Sequence, residues 1–237
     1  MKIKNNIPAG FYFQESNRSY FMDGKKMTGV TTVLGVLAKP ALISWAAKMA
    51  TEYITEHCEI EPEHGRYLVS ADDLEQAKKA HASKKDKAAD IGTLVHGAVE
   101  QWIKNGTIPA LNEDGMKMFN HFLKWAEGKK FLASEQRVYS TVHFYAGTFD
   151  FLVEIDGKKY IGDLKTSNGI YGREYFAQTA GYRIAIEEMG ILDDLHGSVI
   201  VRCGKKGDFE EQYSYDYETD KEMFLSCLKL YRIINNY

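Results

Sequence analysis

The chain has 237 residues, of which 44% are hydrophobic and 13% aromatic, which is enough apolar material for a packed core. Its 30 basic and 33 acidic residues give a formal net charge of -3, which excludes a uniformly basic nucleic-acid coat, so any polyanion must be met by a local groove. Three widely separated cysteines exclude a disulfide framework and favour a reducing, cytosolic setting. Neither an apolar signal core nor an uninterrupted membrane span is found, so we expect neither export nor membrane insertion.

The first half of the chain is predicted to be mainly helical. Residues 10–27 are typical of a short β-hairpin. Apolar residues at helical spacing then predict one helix that starts near Pro40, and another that opens with Ser70 as its N-cap and ends at Gly106. A further helix is expected over residues 112–129.

The second half changes to strands from about residue 131. Strands are predicted over residues 131–141, 146–167 as a hairpin, 197–204 and 209–217, and helices over residues 172–190 and 218–236. The simplest architecture is one α/β domain whose N-terminal helices cover one side of a central mixed sheet.

The predicted hairpin AGTFDFLVEIDGKKYIGDLKTS places charges inside its strands. If Asp156-Gly157 is a two-residue turn, counting along the ladder gives one apolar face that includes Phe149, Phe151 and Val153. The other face carries four pairs: Glu154 with Lys159, Leu152 with Ile161, Asp150 with Asp163, and Thr148 with Lys165.

Two carboxylates directly opposed on neighbouring strands repel each other, so something positive is expected beside them. A divalent cation with oxygen ligands is the simplest candidate for the pair Asp150 and Asp163. Lys165 lies two residues beyond Asp163 and therefore on the same face. The alternative is a half-exposed strand with a solvated charged face, which is the commoner meaning of alternating polar residues.

Two further polar pairs lie one helical turn apart. His96 and Glu100 share one helix face, and so do Gln178 and Tyr182. Each pair alone is most often a structural histidine with a surface glutamate, or the polar edge of a half-buried helix. Neither pair by itself predicts a function.

The order of these motifs is more specific than any one of them. G-x-x-x-H, G-x-x-D, D-x-K and Q-x-x-x-Y follow each other in GTLVH, GTFD, DLK and QTAGY. This order resembles the PD-(D/E)XK nuclease superfamily and, within it, the RecB-like exonuclease branch. The segments GVTTVLGVLAKPALISWAAKMA and AADIGTLVHGAVEQWI are similar to phage-encoded members and to mitochondrial genome maintenance exonucleases.

The resemblance, which covers roughly residues 20–190, implies a fold and an extent. The expected fold class is α/β, with a restriction-endonuclease-like mixed central sheet flanked by helices and an N-terminal helical region. One nuclease domain would span residues 1–237, with a helical part at about 28–128 and a catalytic sheet core at about 131–237.

The resemblance also implies roles for single residues. His96, Asp150, Asp163 and Leu164 would bind the metal, with His96 as the added ligand of the RecB-like branch. Lys165 would orient and help to deprotonate the attacking water, or stabilise charge on the scissile phosphate. The usual Glu of E-x-K is Asp163 here, and the literal Pro-Asp is Phe-Asp, both of which are common departures.

Gln178 and Tyr182 would complete the catalytic set by positioning the nucleic-acid backbone. Glu100 and Glu135 are weaker candidates for an additional carboxylate, and we predict neither as a direct ligand. The expected cofactor is Mg²⁺ or Mn²⁺, as one or two ions. The four cysteines that hold an iron-sulfur cluster in some relatives are absent, so no cluster is predicted.

The expected activity is that of a metal-dependent DNA exonuclease in phage or prophage recombination or DNA processing, in the cytoplasm of a bacterial host. Its partners would be linear DNA ends, single- or double-stranded, and a single-strand annealing or binding protein is a further candidate. The lysine run at residues 78–87 is a candidate backbone-binding stripe or a solvated helix face. The alternatives are a structure-specific endonuclease and a catalytically inactive member that binds DNA or a protein.

Overall fold

The computed structural model describes residues 8–205 and 207–236, and these form two compact units. One unit comprises the chain up to Leu37 and from Leu94 onward, and the other is Ala38–Thr93. The fold is α/β, with a mixed central sheet of eight strands and helices on both faces, which confirms the predicted class. Whether the two units act as one nuclease domain stays a prediction.

The large sheet contains eight strands: β1 Phe11–Gln14, β2 Ser19–Met22, β3 Lys25–Gly29, β6 Lys130–Ser140, β7 Tyr145–Ile155, β8 Lys158–Lys165, β9 Leu195–Cys203 and β10 Phe209–Ser214. A separate two-stranded sheet contains β4 Glu59–Glu61 and β5 Arg66–Leu68. The helices are α1 Val30–Val33, α2 Pro40–His57, α3 Ala71–Asn105, α4 Glu113–Ala126, α5 Glu174–Glu188 and α6 Tyr217–Asn235.

The helices begin and end close to the predicted residues. Helix α3 starts after Ser70, whose hydroxyl accepts from the N–H of Asp73 at 3.1 Å while the Asp73 carboxylate accepts from the N–H of Ser70 at 2.9 Å. This reciprocal pair satisfies donors that the first helical turn leaves unpaired. No single helix in the described part of the chain is long and apolar enough to cross a membrane.

The sheet runs in the order β1-β2-β3-β7-β8-β9-β10, and β6 also pairs with β7. Strand β7 is therefore the centre of the sheet. Its pairs with β6 and β8 are antiparallel and its pair with β3 is parallel, as is the pair of β8 with β9. The N-terminal hairpin was predicted, but the pairing of β3 with the central sheet was not.

Strand β7 shares one of its two edges between β8 and β3. Its pairs with β6 extend from Tyr145 to Glu154 and occupy one edge. On the other edge, β8 pairs only with residues 151–155 and β3 only with Tyr145 and Ala146. Since a strand has two edges, β3 and β8 are separated along β7 by residues 147–150. The sheet is split at this point.

The two faces of the sheet carry different cores. On one face the ring of Phe151 packs against Phe122 and Trp125 of α4, with centroids 5.9 Å and 5.6 Å apart. On the other, Leu152 belongs to a buried apolar cluster that includes residues of α5 and α6. Phe149 belongs to this second cluster, so it does not share one face with Phe151 as strict alternation predicts. The alternation of side chains between the two faces of the sheet is therefore interrupted between Phe149 and Phe151, at Asp150.

The unit Ala38–Thr93 consists of α2, the β4–β5 hairpin and the first part of α3. Within it, Met49 and Ala77 are the buried apolar side chains among the described residues. Each residue of α3 is rotated by about 100° from the one before it. At their positions in the sequence, the five lysines of residues 78–87 therefore point in directions spread over the whole circumference of the helix. They do not form a single stripe.

Candidate metal centre

The carboxylate of Asp150 lies where β7 and β8 part. Counting from the turn predicted eight hairpin pairs, and the five from Ile155 with Lys158 to Phe151 with Gly162 are confirmed. The ladder stops there, so the predicted pairs of Asp150 with Asp163, Phe149 with Leu164 and Thr148 with Lys165 do not form. In place of a main-chain carbonyl, Asp150 Oδ2 accepts the N–H of Leu164 at 2.6 Å. The side chain of Asp150 therefore takes the place of the next ladder bond.

Glu135 of β6 lies opposite Asp150 on the other edge of β7. The pairs on either side are in register, but Glu135 itself has a left-handed backbone with φ 46° and makes no ladder pair. Non-glycine residues adopt this conformation at a cost, and such strain is concentrated at functional sites. The hydroxyl of Ser134 donates to the carbonyl of Asp150 at 3.0 Å.

His96 reaches the same place from α3. Its Nδ1 lies 3.5 Å from Asp150 Oδ2. One ligand atom from each of His96, Glu135 and Asp150 lies within 4.8 Å of the other two, which makes these residues a group able to hold a metal ion. Glu135 was not predicted as a direct ligand, and the structure places it in this group.

Asp163 and Lys165 lie beside this group and form a buried ion pair. Lys165 Nζ is 2.6 Å from Asp163 Oδ2, and only 1% of the Asp163 side chain is exposed. Gln178 of α5 donates from Nε2 to Asp163 Oδ1 at 2.9 Å and to the Tyr182 hydroxyl at 3.1 Å, and its Oε1 accepts from Lys165 at 3.3 Å. Four of the five predicted catalytic residues, Asp163, Lys165, Gln178 and Tyr182, thus form one hydrogen-bonded chain, and Asp150 lies outside it.

Helices from both faces of the sheet reach the site because the strands have parted. Helix α3 lies on the face of α4, since Trp102 packs against Phe122 and Phe131 with centroids 6.0 Å and 5.7 Å apart. Helix α5 lies on the opposite face. A continuous sheet would separate His96 from Gln178, and the split lets them approach the same pair of strands.

Two residues considered as metal ligands in the sequence, Glu100 and Leu164, lie outside the group of His96, Glu135 and Asp150. Glu100 forms an ion pair with Lys104 on α3 and lines the same cavity as Glu135 and Asp150. Leu164 has a fully buried side chain, so only its main-chain oxygen could bind a metal. Its role as a ligand stays a prediction.

Charges in the site act strongly on each other. Burial works to raise the pKa of Asp150, but His96, Lys165 and the N–H of Leu164 outweigh it and lower that pKa. Burial works to lower the pKa of His96, and Asp150 outweighs it in the opposite direction. In the metal-free protein these two residues behave as an ion pair.

The other two carboxylates hold protons more tightly. Burial raises the pKa of Glu135 to about 7, and the negative charge of Asp150 adds to the effect. Burial also raises the pKa of Asp163, which Lys165 opposes and Asp150 reinforces. The pKa of Lys165 is raised despite its burial, because Asp163 and Asp150 stabilise its charged form.

The site opens into a cavity of about 1000 Å³. Residues of β2, β3, β6, β7, β8, α3 and α5 line it, including Glu135, Asp150, Asp163, Lys165 and Gln178. This volume is at the upper end of the range for small-ligand pockets, so it has room for more than the metal group and one phosphate.

No protein-family profile matches the chain, and no curated protein matches it. Among solved structures, one described as "Crystal structure of SSO0001" aligns with 80% of this chain and 86% of its own, at 14% sequence identity and a TM-score of 0.36.

Proposed function

We propose that this protein is a divalent-metal-dependent deoxyribonuclease that hydrolyses DNA from linear ends. The observation that carries the proposal is the meeting of ligand atoms from His96, Glu135 and Asp150 within 4.8 Å, next to the buried pair of Asp163 and Lys165. The motif order of the sequence supports the same conclusion independently.

The donor set fits a divalent cation such as Mg²⁺ or Mn²⁺. Carboxylate oxygens suit both ions, and a neutral imidazole favours Mn²⁺ beside Mg²⁺. Asp163 Oδ2 is buried and makes no well-oriented hydrogen bond, although Lys165 lies against it. Mutually repelling carboxylates such as Glu135 and Asp150 are what a cation would stabilise.

A bound cation would activate water and offset charge on the phosphate. Lys165 is held in place by Asp163 and by the amide oxygen of Gln178, with its ammonium 5.2 Å from the ring centre of Tyr175. Its charge is therefore fixed before substrate binds, so it can stabilise the developing charge of the phosphate without rearrangement. Gln178 holds Asp163, Lys165 and Tyr182 in one arrangement.

The choice of an exonuclease over an endonuclease rests on the resemblance of the motif order to the RecB-like branch. Linear and covalently closed circular DNA separate these two activities. An inactive binding protein would have no need of a cation site next to a fixed lysine, so the same assay also decides whether the protein is an enzyme.

The test is digestion of 5′-labelled linear single- and double-stranded DNA, beside a closed circle, with Mg²⁺, Mn²⁺ or EDTA. Wild type is compared with Asp163→Asn, which keeps the shape of the side chain. Asp194→Asn is the matched control, because Asp194 is an exposed aspartate that pairs with Lys159 away from the cavity.

We expect metal-dependent loss of linear DNA by wild type and by Asp194→Asn, and none by Asp163→Asn. Cutting of the closed circle would replace the exonuclease by an endonuclease. If the folded wild type cuts no DNA with either metal, the protein is not a deoxyribonuclease and the binding-protein alternative takes its place.

A further inference from the structure

Residues outside the metal group line a second wall of the cavity, among them Tyr20, Arg137 and Thr148. Arg137 of β6 and Thr148 of β7 form a cross-strand pair, two residues from Glu135 and Asp150 respectively. At about 3.3 Å per residue, this pair lies about 7 Å from the metal group along the strands. That offset is comparable with the separation of successive phosphates along a nucleic-acid strand.

Tyr20 of β2 joins this wall. Its hydroxyl and that of Thr148 share a hydrogen bond of 2.8 Å. One hydroxyl hydrogen lies between the two oxygens, so the other can turn toward an incoming acceptor. Burial raises the pKa of Tyr20, although Thr148, Arg137 and Arg18 oppose the shift, and the phenol therefore stays a donor at neutral pH.

Arg137 supplies the positive charge of the wall. Its guanidinium lies 4.5 Å from the ring centre of Phe13 and 2.6 Å from the carboxylate of Glu15. Glu15 is 77% exposed, and an exposed ion pair of this kind contributes little to stability. A guanidinium has five N–H donors, so a phosphate can share or replace the carboxylate.

Arg18 adds a second cation at the same wall. It lines the cavity and acts on the Tyr20 hydroxyl. Within residues 8–205 and 207–236, Arg18 forms no ion pair. An arginine that has no ion-pair partner among the described residues and acts on the Tyr20 hydroxyl is suited to bind an anion.

We propose that Arg137, Tyr20 and Thr148, with Arg18, form a phosphate subsite that holds a second phosphate of the DNA strand next to the one being hydrolysed. This inference rests on the proposed function, because it takes the scissile phosphate to lie at the metal group. The second phosphate is either a backbone diester or a terminal monoester, and both offer the same oxygens.

The test measures binding rather than cleavage. Affinity for a fluorescein-labelled single-stranded oligonucleotide is measured by anisotropy in EDTA over a range of salt concentrations. The variants are Arg137→Gln, Glu15→Gln and, as a control of equal charge change, Lys25→Gln, whose residue is exposed on β3 but does not line the cavity. Thermal unfolding checks that each variant is folded.

Arg137→Gln should weaken binding about tenfold and reduce the slope of log affinity against log salt by about 0.7, as expected for one lost phosphate contact. Glu15→Gln should strengthen binding, because it removes the carboxylate that competes for Arg137. A merely structural role for Arg137 would not change the salt slope, and would not give the two variants opposite signs.

Oligonucleotides with and without a terminal phosphate distinguish the two sources. A loss confined to phosphorylated ends assigns the subsite to a monoester, and an equal loss assigns it to the backbone. The inference is overturned if Arg137→Gln binds like Lys25→Gln. If wild type cleaves DNA with Mn²⁺ but the variants do not differ in binding, only the subsite is wrong and the nuclease proposal stands.

Discussion

Glu135 and Asp150 face each other across neighbouring strands, and each carboxylate raises the cost of ionising the other. His96, Lys165 and the N–H of Leu164 outweigh burial and lower the pKa of Asp150, whereas burial leaves Glu135 with a raised pKa. A cation would stabilise the ionised form of both residues, which is why we interpret the arrangement as a site for one.

Glu135→Gln should change how the stability of the metal-free protein depends on pH. The folded pKa of Glu135 is about 7, above its ordinary value of 4.5, so between these values the folded state binds more protons than the unfolded state. The free energy of unfolding therefore falls as pH rises through this window, on the order of 2 kcal/mol from this residue.

Urea unfolding in EDTA at pH 5 and pH 8 measures this effect. Wild type should lose more stability between the two values than Glu135→Gln does. Glu222→Gln, at an exposed position on α6, is the control and should follow wild type. An identical loss in wild type and Glu135→Gln would show that Glu135 ionises normally.

Lys165→Gln should separate metal binding from hydrolysis. Loss of its fixed charge should reduce the cleavage rate by at least about 100-fold, as for other groups that stabilise transition-state charge. Because Lys165 is a cation next to the metal group, its removal should not weaken Mn²⁺ binding. Calorimetric Mn²⁺ titration and single-turnover cleavage measure the two effects, and a variant that loses Mn²⁺ instead would place Lys165 in the structure of the site.

At the scale of elements, the β7–β8 hairpin shows what the sequence could predict. Asp156-Gly157 fixes a two-residue turn with positive φ at both residues, and every pair near the turn followed by counting. Counting failed at Asp150, because a side chain there replaces a main-chain partner. The alternation of polar and apolar residues in the sequence does not show that a side chain will replace a main-chain carbonyl as the hydrogen-bond acceptor.

The position of Glu135 could have been found in the same way only if the β6–β7 register had been known. Ser140 pairs with Tyr145, and counting back from that pair places Glu135 opposite Asp150. The connection between them, TVHF, contains none of the Asn, Asp or Gly residues that identify a short turn, so the register was not predictable. The parallel pair of β3 with β7 joins residues more than a hundred positions apart and was also not predictable.

The hairpin also depends on Gly162, over which the ring of Phe151 lies. A Cβ at Gly162 would collide with that ring. Gly162→Ala should therefore destabilise the protein by about 1–3 kcal/mol. Gly97 of α3 has no atom within 4 Å of such a Cβ, so Gly97→Ala should stabilise the protein by about 0.5–1 kcal/mol through its helix propensity. Chemical unfolding of both variants checks the opposite signs, and equal effects would contradict the packing described.

At the scale of the whole molecule, the two units differ in how much apolar surface they bury. Most residues of strands β7 and β8 are buried, whereas the buried apolar side chains described in Ala38–Thr93 are those of Met49 and Ala77. Segments with few buried contacts open at lower free energy. The amides of α2 should therefore exchange hydrogen faster than those of β7, β8 and α5. Hydrogen exchange measured by mass spectrometry tests this, and equal protection of both units would contradict it.

The most direct test of the central claim is to measure Mn²⁺ binding and DNA cleavage over the same range of Mn²⁺ concentrations. We predict that the dissociation constant found by calorimetry equals the concentration that gives half-maximal cleavage of linear DNA, and that Asp150→Asn loses both. The account would be contradicted by tight Mn²⁺ binding that persists in Asp150→Asn, or by cleavage that is unchanged in EDTA. Either result would show that His96, Glu135 and Asp150 do not form a catalytic metal centre.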